Sequence, residues 1–275
     1  MNPIEQIRNS ALASYAETLE RLLKPAIAIV HAPADSPAPI GASKLGGEPD
    51  LPPDFVWPEW QGTPLAFLEQ VNLEQVAPYD TERLLPPSGM LYFFYEANEQ
   101  PWGYYPDDAG SWRVVYYAGR ADTLVRTPLP EAMPEYPRIP EVPVAFEQRS
   151  MLPLDSEELE LLAPELELTD EMWDEYTELA HRIAQIEEDQ PKNWLLGYHA
   201  SIQGAASADA IRAQYEMSWQ EALARGQELI LLLHLDSDVT IEMEWGDVGT
   251  LYFWIHRNDL AARRFDKVWM ILQCY

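Results

Sequence analysis

The sequence predicts an α+β fold: two β-sheet units related by a weak internal repeat, packed with several helices into one compact body. Three observations carry this expectation. Apolar runs of strand length stand at 229–233, 90–95 and 251–255. Other stretches place apolar residues at helical spacing. A pattern Gly-x-Leu-Tyr-Phe-aromatic occurs twice, from Gly89 and from Gly249, and each copy follows an apolar strand. The chain reads as a single domain over residues 1–275, with possible halves 1–126 and 154–275 joined by a proline-rich segment, 127–153.

Asn2-Pro3 supplies a capping amide and a first-turn proline. Ile4, Ile7, Leu12, Tyr15, Leu19 and Leu22 then follow at helical spacing, predicting a helix of roughly twenty residues. A buried strand is expected over 26–30. Residues 32–63 are rich in proline and glycine and read as an ordered loop. Lys44, Gly46 and Gly47 in this loop are a candidate anion cradle. The order is not that of a phosphate-binding loop, in which lysine follows the glycines. Strands follow over 64–72, 90–95 and 111–117. Prolines recur from Pro128 to Pro153, which excludes helix and leaves 142–146 as a possible edge strand.

Helices are expected from Asp155 and from Thr169, with Met172, Tyr176, Leu179 and Ile183 as the apolar stripe of the second. Residues 193–204 read as a glycine-bounded loop. A last long helix is expected over 207–225, ended by Gly226. Strands are expected over 228–236 and 239–244, in the second Gly-Leu-Tyr-Phe copy, and over 267–272.

The 275 residues include 46 Asp and Glu against 18 Lys and Arg, a formal charge of −28. Such a surface repels nucleic acid and anionic membranes, and it permits a basic protein partner. A single cysteine, Cys274, makes neither an internal disulfide nor a cysteine-rich zinc site. The N-terminus has no signal-peptide pattern and no apolar run is long enough to span a bilayer. The expected location is therefore cytoplasmic.

Three stretches together resemble the YwqG-like family of bacterial proteins, a domain of unknown function. They are Ser43-Lys44-Leu45-Gly46-Gly47-Glu48-Pro49-Asp50-Leu51-Pro52, then Leu196-Gly197-Tyr198 with Ile202-Gln203-Gly204, and Trp245-Gly246-Asp247-Val248-Gly249-Thr250-Leu251-Tyr252-Phe253. The resemblance runs from about residue 40 to the end. It implies a mixed α+β fold and no particular reaction. One departure stands out: His234 occupies a late-strand position where the family commonly has glutamine, alongside the matched Gln70 and Gln203.

The candidate polar cluster is His234, Asp236, Asp247, His199, Gln203 and Gln70. Alternation puts His234 and Asp236 on one strand face. Histidine with carboxylates is the donor set for a divalent ion, although no metal-binding motif is present and no cofactor is expected. The more ordinary reading is a polar strand end with turn carboxylates. Glu157, Glu158, Glu160, Asp170, Glu171, Asp174 and Glu175 form a candidate partner-binding surface, against the ordinary reading of a solvated helix face. Two functions follow. One is a non-enzymatic module holding a basic partner, with an immunity-type protein as its concrete version. The other is a metal-dependent or acid/base hydrolase at the His/Asp cluster.

Overall fold

The computed structural model describes residues 2–33, 37–134, 138–187 and 190–275. The chain opens with α1 (Pro3–Arg8), capped by the Asn2 side chain on the Ile4 N–H at 2.9 Å. The single long helix expected here is broken. The Ser10 hydroxyl donates to the Ile7 carbonyl and accepts from the Leu12 N–H. Such local side-chain bonds compete with helix propagation. The chain resumes as α2 (Ala16–Leu22), and Ile7, Leu12 and Leu19 still bury in one cluster.

The strands follow: β1 (Lys24–His31), β2 (Lys44–Leu45), β3 (Asp50–Leu51), β4 (Glu59–Trp60), β5 (Thr63–Pro64) and β6 (Ala66–Asn72). After α3 (Leu73–Val76) come β7 (Met90–Tyr95), β8 (Trp112–Tyr117), β9 (Val125–Arg126) and β10 (Val142–Met151). Then follow α4 (Ser156–Leu162), α5 (Asp170–Ala184), β11 (Trp194–Leu196), α6 (Ala206–Gln214) and α7 (Trp219–Gly226). The chain closes with β12 (Leu229–Asp236), β13 (Thr250–His256), α8 (Arg257–Ala261) and β14 (Trp269–Gln273).

Ten strands form one antiparallel sheet in the order β14-β13-β12-β11-β1-β10-β2-β6-β7-β8. The sheet curls into a near-barrel. Phe93 and Phe253, far apart in strand order, meet edge to face at 5.2 Å across its interior. Near the two ends of the sheet, the Trp112 Nε1–H donates to the Val268 carbonyl at 2.9 Å, and Trp112 packs on Trp269. Leu91, Phe93 and Tyr95 point into the central core, whereas Met90, Tyr92 and Phe94 enter a second cluster on the outer face. Both faces of β7 are therefore buried, which is why its sequence is an unbroken apolar run.

Several elements differ from the sequence expectation. Segment 142–146 belongs to a ten-residue central strand, since β10 pairs along the whole of β1 and then with β2. Pro143 is tolerated because it lies just beyond His31↔Val144, the last pair of the β1 ladder. The expected loop at 193–204 contributes β11, which fills the space between β1 and β12. The expected strand at 239–244 is a 3-10 turn, Val239–Ile241, capped by Asp238. The expected helix over 207–225 is two helices. Ser218 and Glu221 make a reciprocal cap that starts α7, a Ser-x-x-Glu signal legible in the sequence.

Two β-bulges shape the interior. The register between β6 and β7 shifts between Phe67 and Glu69, and that between β12 and β13 shifts between Leu231 and Leu233. Each bulge turns two consecutive residues inward: Leu232 with Leu233, and Leu68 with Glu69. Leu233 lies opposite Phe253, and Glu69 lies opposite Phe93. A carboxyl thus occupies an apolar interior site. Glu69 is fully buried, neither oxygen has a hydrogen-bond partner among the described residues, and burial pushes its pKa up to about 8.

This carboxyl binds its proton more tightly in the folded chain than in the unfolded one, where 4.5 is the ordinary value. Stability therefore falls as pH rises from about 4.5 to about 8 and stays low above that. At about 1.4 kcal/mol per pKa unit, the loss reaches roughly 5 kcal/mol. Glu69→Leu, which copies the interior residue at 233, is expected to abolish this slope and to stabilise the protein above pH 8. Urea unfolding at acidic and alkaline pH measures it; a variant with the parent's pH slope refutes the assignment.

Candidate functional site

The polar end of β12 borders a cleft of about 440 Å³ lined in part by Lys192, His234, Asp236, Asp238, Thr250 and Tyr275. His234 and Asp236 share this wall, as strand alternation requires. Asp236 is held by its neighbours: Oδ1 accepts from the Thr250 hydroxyl at 2.6 Å and Oδ2 from the Lys192 N–H at 3.1 Å. Burial raises its pKa, and these two bonds oppose the rise. Asp238 caps the following turn through Oδ1, while Oδ2 lies 3.2 Å from His31 Nε2.

His234 is fully buried. Its ring stacks on Trp194 at 3.9 Å and meets the Tyr252 ring edge to face at 5.1 Å. Among the described residues, neither ring nitrogen makes a hydrogen bond of ordinary geometry. Burial pulls its pKa down to about 3, while the backbone at Lys192 and Ala200 pulls weakly the other way. The imidazole is therefore neutral at ordinary pH.

Asp247 does not join this wall. It is exposed, and its backbone carbonyl accepts the Tyr275 N–H. His199 is buried on the same outer face as His234: its ring meets Tyr252 edge to face at 5.9 Å and Trp254 at 5.3 Å, its charge acts on His234, and its Nδ1 lies 3.5 Å from the Glu158 carboxylate. Gln203 is exposed, and its backbone N–H donates to Gln273 Oε1. Among the described residues, no group of three or more His, Cys, Asp or Glu is placed to hold a metal ion.

Gln70 lies in the early half and locks a loop. It accepts from the Asp50 N–H at 2.7 Å and donates to the Ala42 carbonyl and to Asp50 Oδ2. Lys44, Asp50, Arg126 and Glu141 close a charge network around it. Lys44 Nζ lies 2.7 Å from Glu141, and Arg126 pairs with Asp50 at 2.6 Å and with Glu141 at 2.9 Å. Burial holds the Lys44 ammonium below the usual lysine range, and the Glu141 bond opposes this. The Gly46 and Gly47 N–H groups donate to the Leu68 and Ile139 carbonyls, so neither is open to an anion. A Cβ at Gly46 would lie 2.4 Å from the Pro140 carbonyl, so glycine there serves close packing.

A second loop is locked by Gln273, which the sequence did not single out. It is fully buried, accepts from the Ile202 and Gln203 N–H groups and donates to the Gly204 carbonyl. Its only sequence signal is a glutamine ending an apolar strand.

The acidic residues divide. Glu160, Asp170, Glu171, Asp174 and Glu175 are exposed. Glu157 is half-buried and accepts from Trp219 Nε1–H at 2.9 Å. Glu158 departs from the expected surface: it is buried beside His199. Burial opposes its ionisation, yet contact with His199 and Lys24 holds its pKa below the ordinary value.

A histidine held near 3 in the fold and near 6.5 in the unfolded chain takes up its proton on unfolding. Its contribution to stability is complete above about pH 6.5 and is lost as pH falls toward 3. His234→Gln removes this titration and supplies an amide able to bond as Gln70 does. Its acid unfolding limb is expected to be flatter by up to roughly 5 kcal/mol across that window. Thermal melts at stepped pH measure this, and an unchanged limb contradicts the assignment.

No protein with a curated description matches the sequence. The family model described as Domain of unknown function (DUF1963) matches residues 43–274, from the loop locked by Gln70 to the strand that carries Gln273. The chain belongs to this family.

Proposed function

We propose that this protein is a non-enzymatic binding module, of immunity type, that docks a basic protein partner on the acidic outer face of α5. One observation carries the reading. Asp170, Glu171, Asp174 and Glu175 are exposed, and among the described residues no cationic side chain pairs with them. The same helix buries Tyr176, Leu179 and Ile183 on its inner face, so the acidic face is held rigidly outward. Asp170 with Asp174 and Glu171 with Glu175 are like charges one turn apart, each pair costing about 0.2–0.5 kcal/mol. A cationic surface laid on them relieves that repulsion.

The cleft beside β12 favours the alternative, a metal-dependent or acid/base hydrolase. Its chemistry is weaker. An imidazole with a pKa of about 3 is a poor base near neutrality, and both Asp236 oxygens already accept hydrogen bonds. The binding reading invokes no cofactor. We also infer that the chain is of the YwqG-like type within its family and that its two halves are repeated units. In support, the bulges at Leu68 and Leu232 have like registers, Gln70 stands opposite Tyr92, and His234 stands opposite Tyr252.

The test is capture from lysate of the protein's own host, comparing the parent with the D170N/E171Q/D174N/E175Q variant. A basic protein held at stoichiometric level by the parent at low salt is expected to be released at high salt. The variant, with an unchanged circular dichroism spectrum, is expected to lose at least tenfold in affinity for that purified partner. Equal retention by parent and variant refutes the acidic face as the docking site.

A further inference from the structure

The sequence carries 18 basic residues against 46 acidic ones, yet three arginines line one pocket with no carboxylate among its lining residues. Arg83, Arg257 and Arg263 surround a space of about 340 Å³ whose apolar wall includes Leu84, Pro86 and Ile230. The pocket bridges two distant parts of the chain, the turn that precedes β7 and the helix α8 that follows β13. All three arginines are exposed, and among the described residues none makes an ion pair. Glu82, next to Arg83 in the chain, is exposed and outside the pocket lining, and three other nearby carboxylates are engaged elsewhere. Asp80 accepts from the Leu84 and Leu85 N–H groups, Glu228 contacts His256 Nε2 at 3.0 Å, and Asp259 pairs with Arg264.

The backbone adds a second, independent observation. Arg83 has φ +55° and Arg263 has φ +58°. Both lie in the left-handed region, where a side chain is disfavoured and glycine is the usual choice. Arg263 stands just past the C-terminus of α8, at the position where glycine commonly ends a helix. At Arg83 the conformation is imposed by a braced turn, with the Arg83 N–H on the Asp80 carbonyl at 3.1 Å. The chain thus places long cationic side chains at two positions whose backbone favours glycine, and both face one pocket. Strain held at clustered positions points to function. Arg263 also lies over the Tyr116 ring at 5.9 Å, which steadies the side chain.

We propose that this pocket binds a small organic phosphate, its phosphate held by the three guanidinium groups and its apolar part laid on Leu84, Pro86 and Ile230. Guanidinium groups present paired N–H donors that match phosphate oxygens, and a dianionic phosphate has more acceptor sites than a carboxylate for three such groups. The negative charge elsewhere on the protein is screened beyond about 8 Å at physiological ionic strength. The site is independent of the α5 face and stands whether or not that face docks a partner.

The test uses 1-naphthyl phosphate as probe, with 1-naphthol and inorganic phosphate as controls, followed by calorimetry on the full chain. The R83G/R263G variant removes two of the three charges while placing glycine where the backbone favours it. The parent is expected to bind 1-naphthyl phosphate more tightly than inorganic phosphate and to leave 1-naphthol unbound. R83G/R263G is expected to weaken binding at least tenfold while its melting temperature holds or rises, and R257A is expected to weaken it likewise. Failure of the parent to bind 1-naphthyl phosphate, or equal affinity in R83G/R263G, overturns the proposal. So does preferential binding of 1-naphthol, which would make the pocket an apolar one.

Discussion

Burial of both faces of one curled sheet is the constraint on which the rest of the structure depends. Rings from opposite halves meet inside it at Phe93 and Phe253, and a second layer of aromatic residues packs outside at Tyr92, Phe94, Tyr252 and Trp254. A sheet buried on both sides leaves its polar side chains no water, so each must bond to the layer that covers it. The covering loops are accordingly fastened by the sheet's own polar groups. Gln70 and the Tyr92 hydroxyl hold the loop at Asp50, and Gln273 and the Tyr252 hydroxyl hold the loop at 200–204. Helices and loops on the outside are thus part of the sheet's hydrogen-bonding account, not additions to it.

Among the described sheet residues, Glu69, His234 and the Trp254 Nε1–H fall outside this scheme. Glu69 faces the interior because the bulge at Leu68 turns two successive residues inward. His234 occupies the outer position opposite Tyr252 but makes none of the three bonds that Gln70 makes opposite Tyr92. Glu69 is a carboxyl kept protonated and His234 an imidazole kept neutral, each by the same cause, removal from water. The fold carries both as costs against its large apolar burial.

Charge is distributed unevenly over this frame. Lys44, Arg126, Asp50 and Glu141 neutralise one another beneath the loop that carries Gly46 and Gly47. The α5 carboxylates stand in solvent, and the arginines at 83, 257 and 263 gather at the junction of distant segments. Residues of one type therefore have different fates. Glu158 and Glu160 are two positions apart on α4; one is buried beside His199 and the other is exposed.

The mixed helix-and-strand class was legible in the sequence because apolar periodicity is a local property. The strands at 66–72, 90–95 and 250–256 and the helix from Thr169 follow directly from it. So does the shared face of His234 and Asp236, since alternation needs only two residues of one strand. The separation of Asp247 from that face, the burial of Glu158 and the bonding of Gln273 were not legible, because each depends on which distant segment covers the residue. The same holds for β11, whose three residues become a strand only between β1 and β12. Sequence alone determined where the chain alternates, caps and turns, since those follow from neighbours within a few positions. Only the tertiary structure decided which polar groups are fastened, orphaned or left in water, because desolvation and hydrogen-bond partners come from segments well separated along the chain.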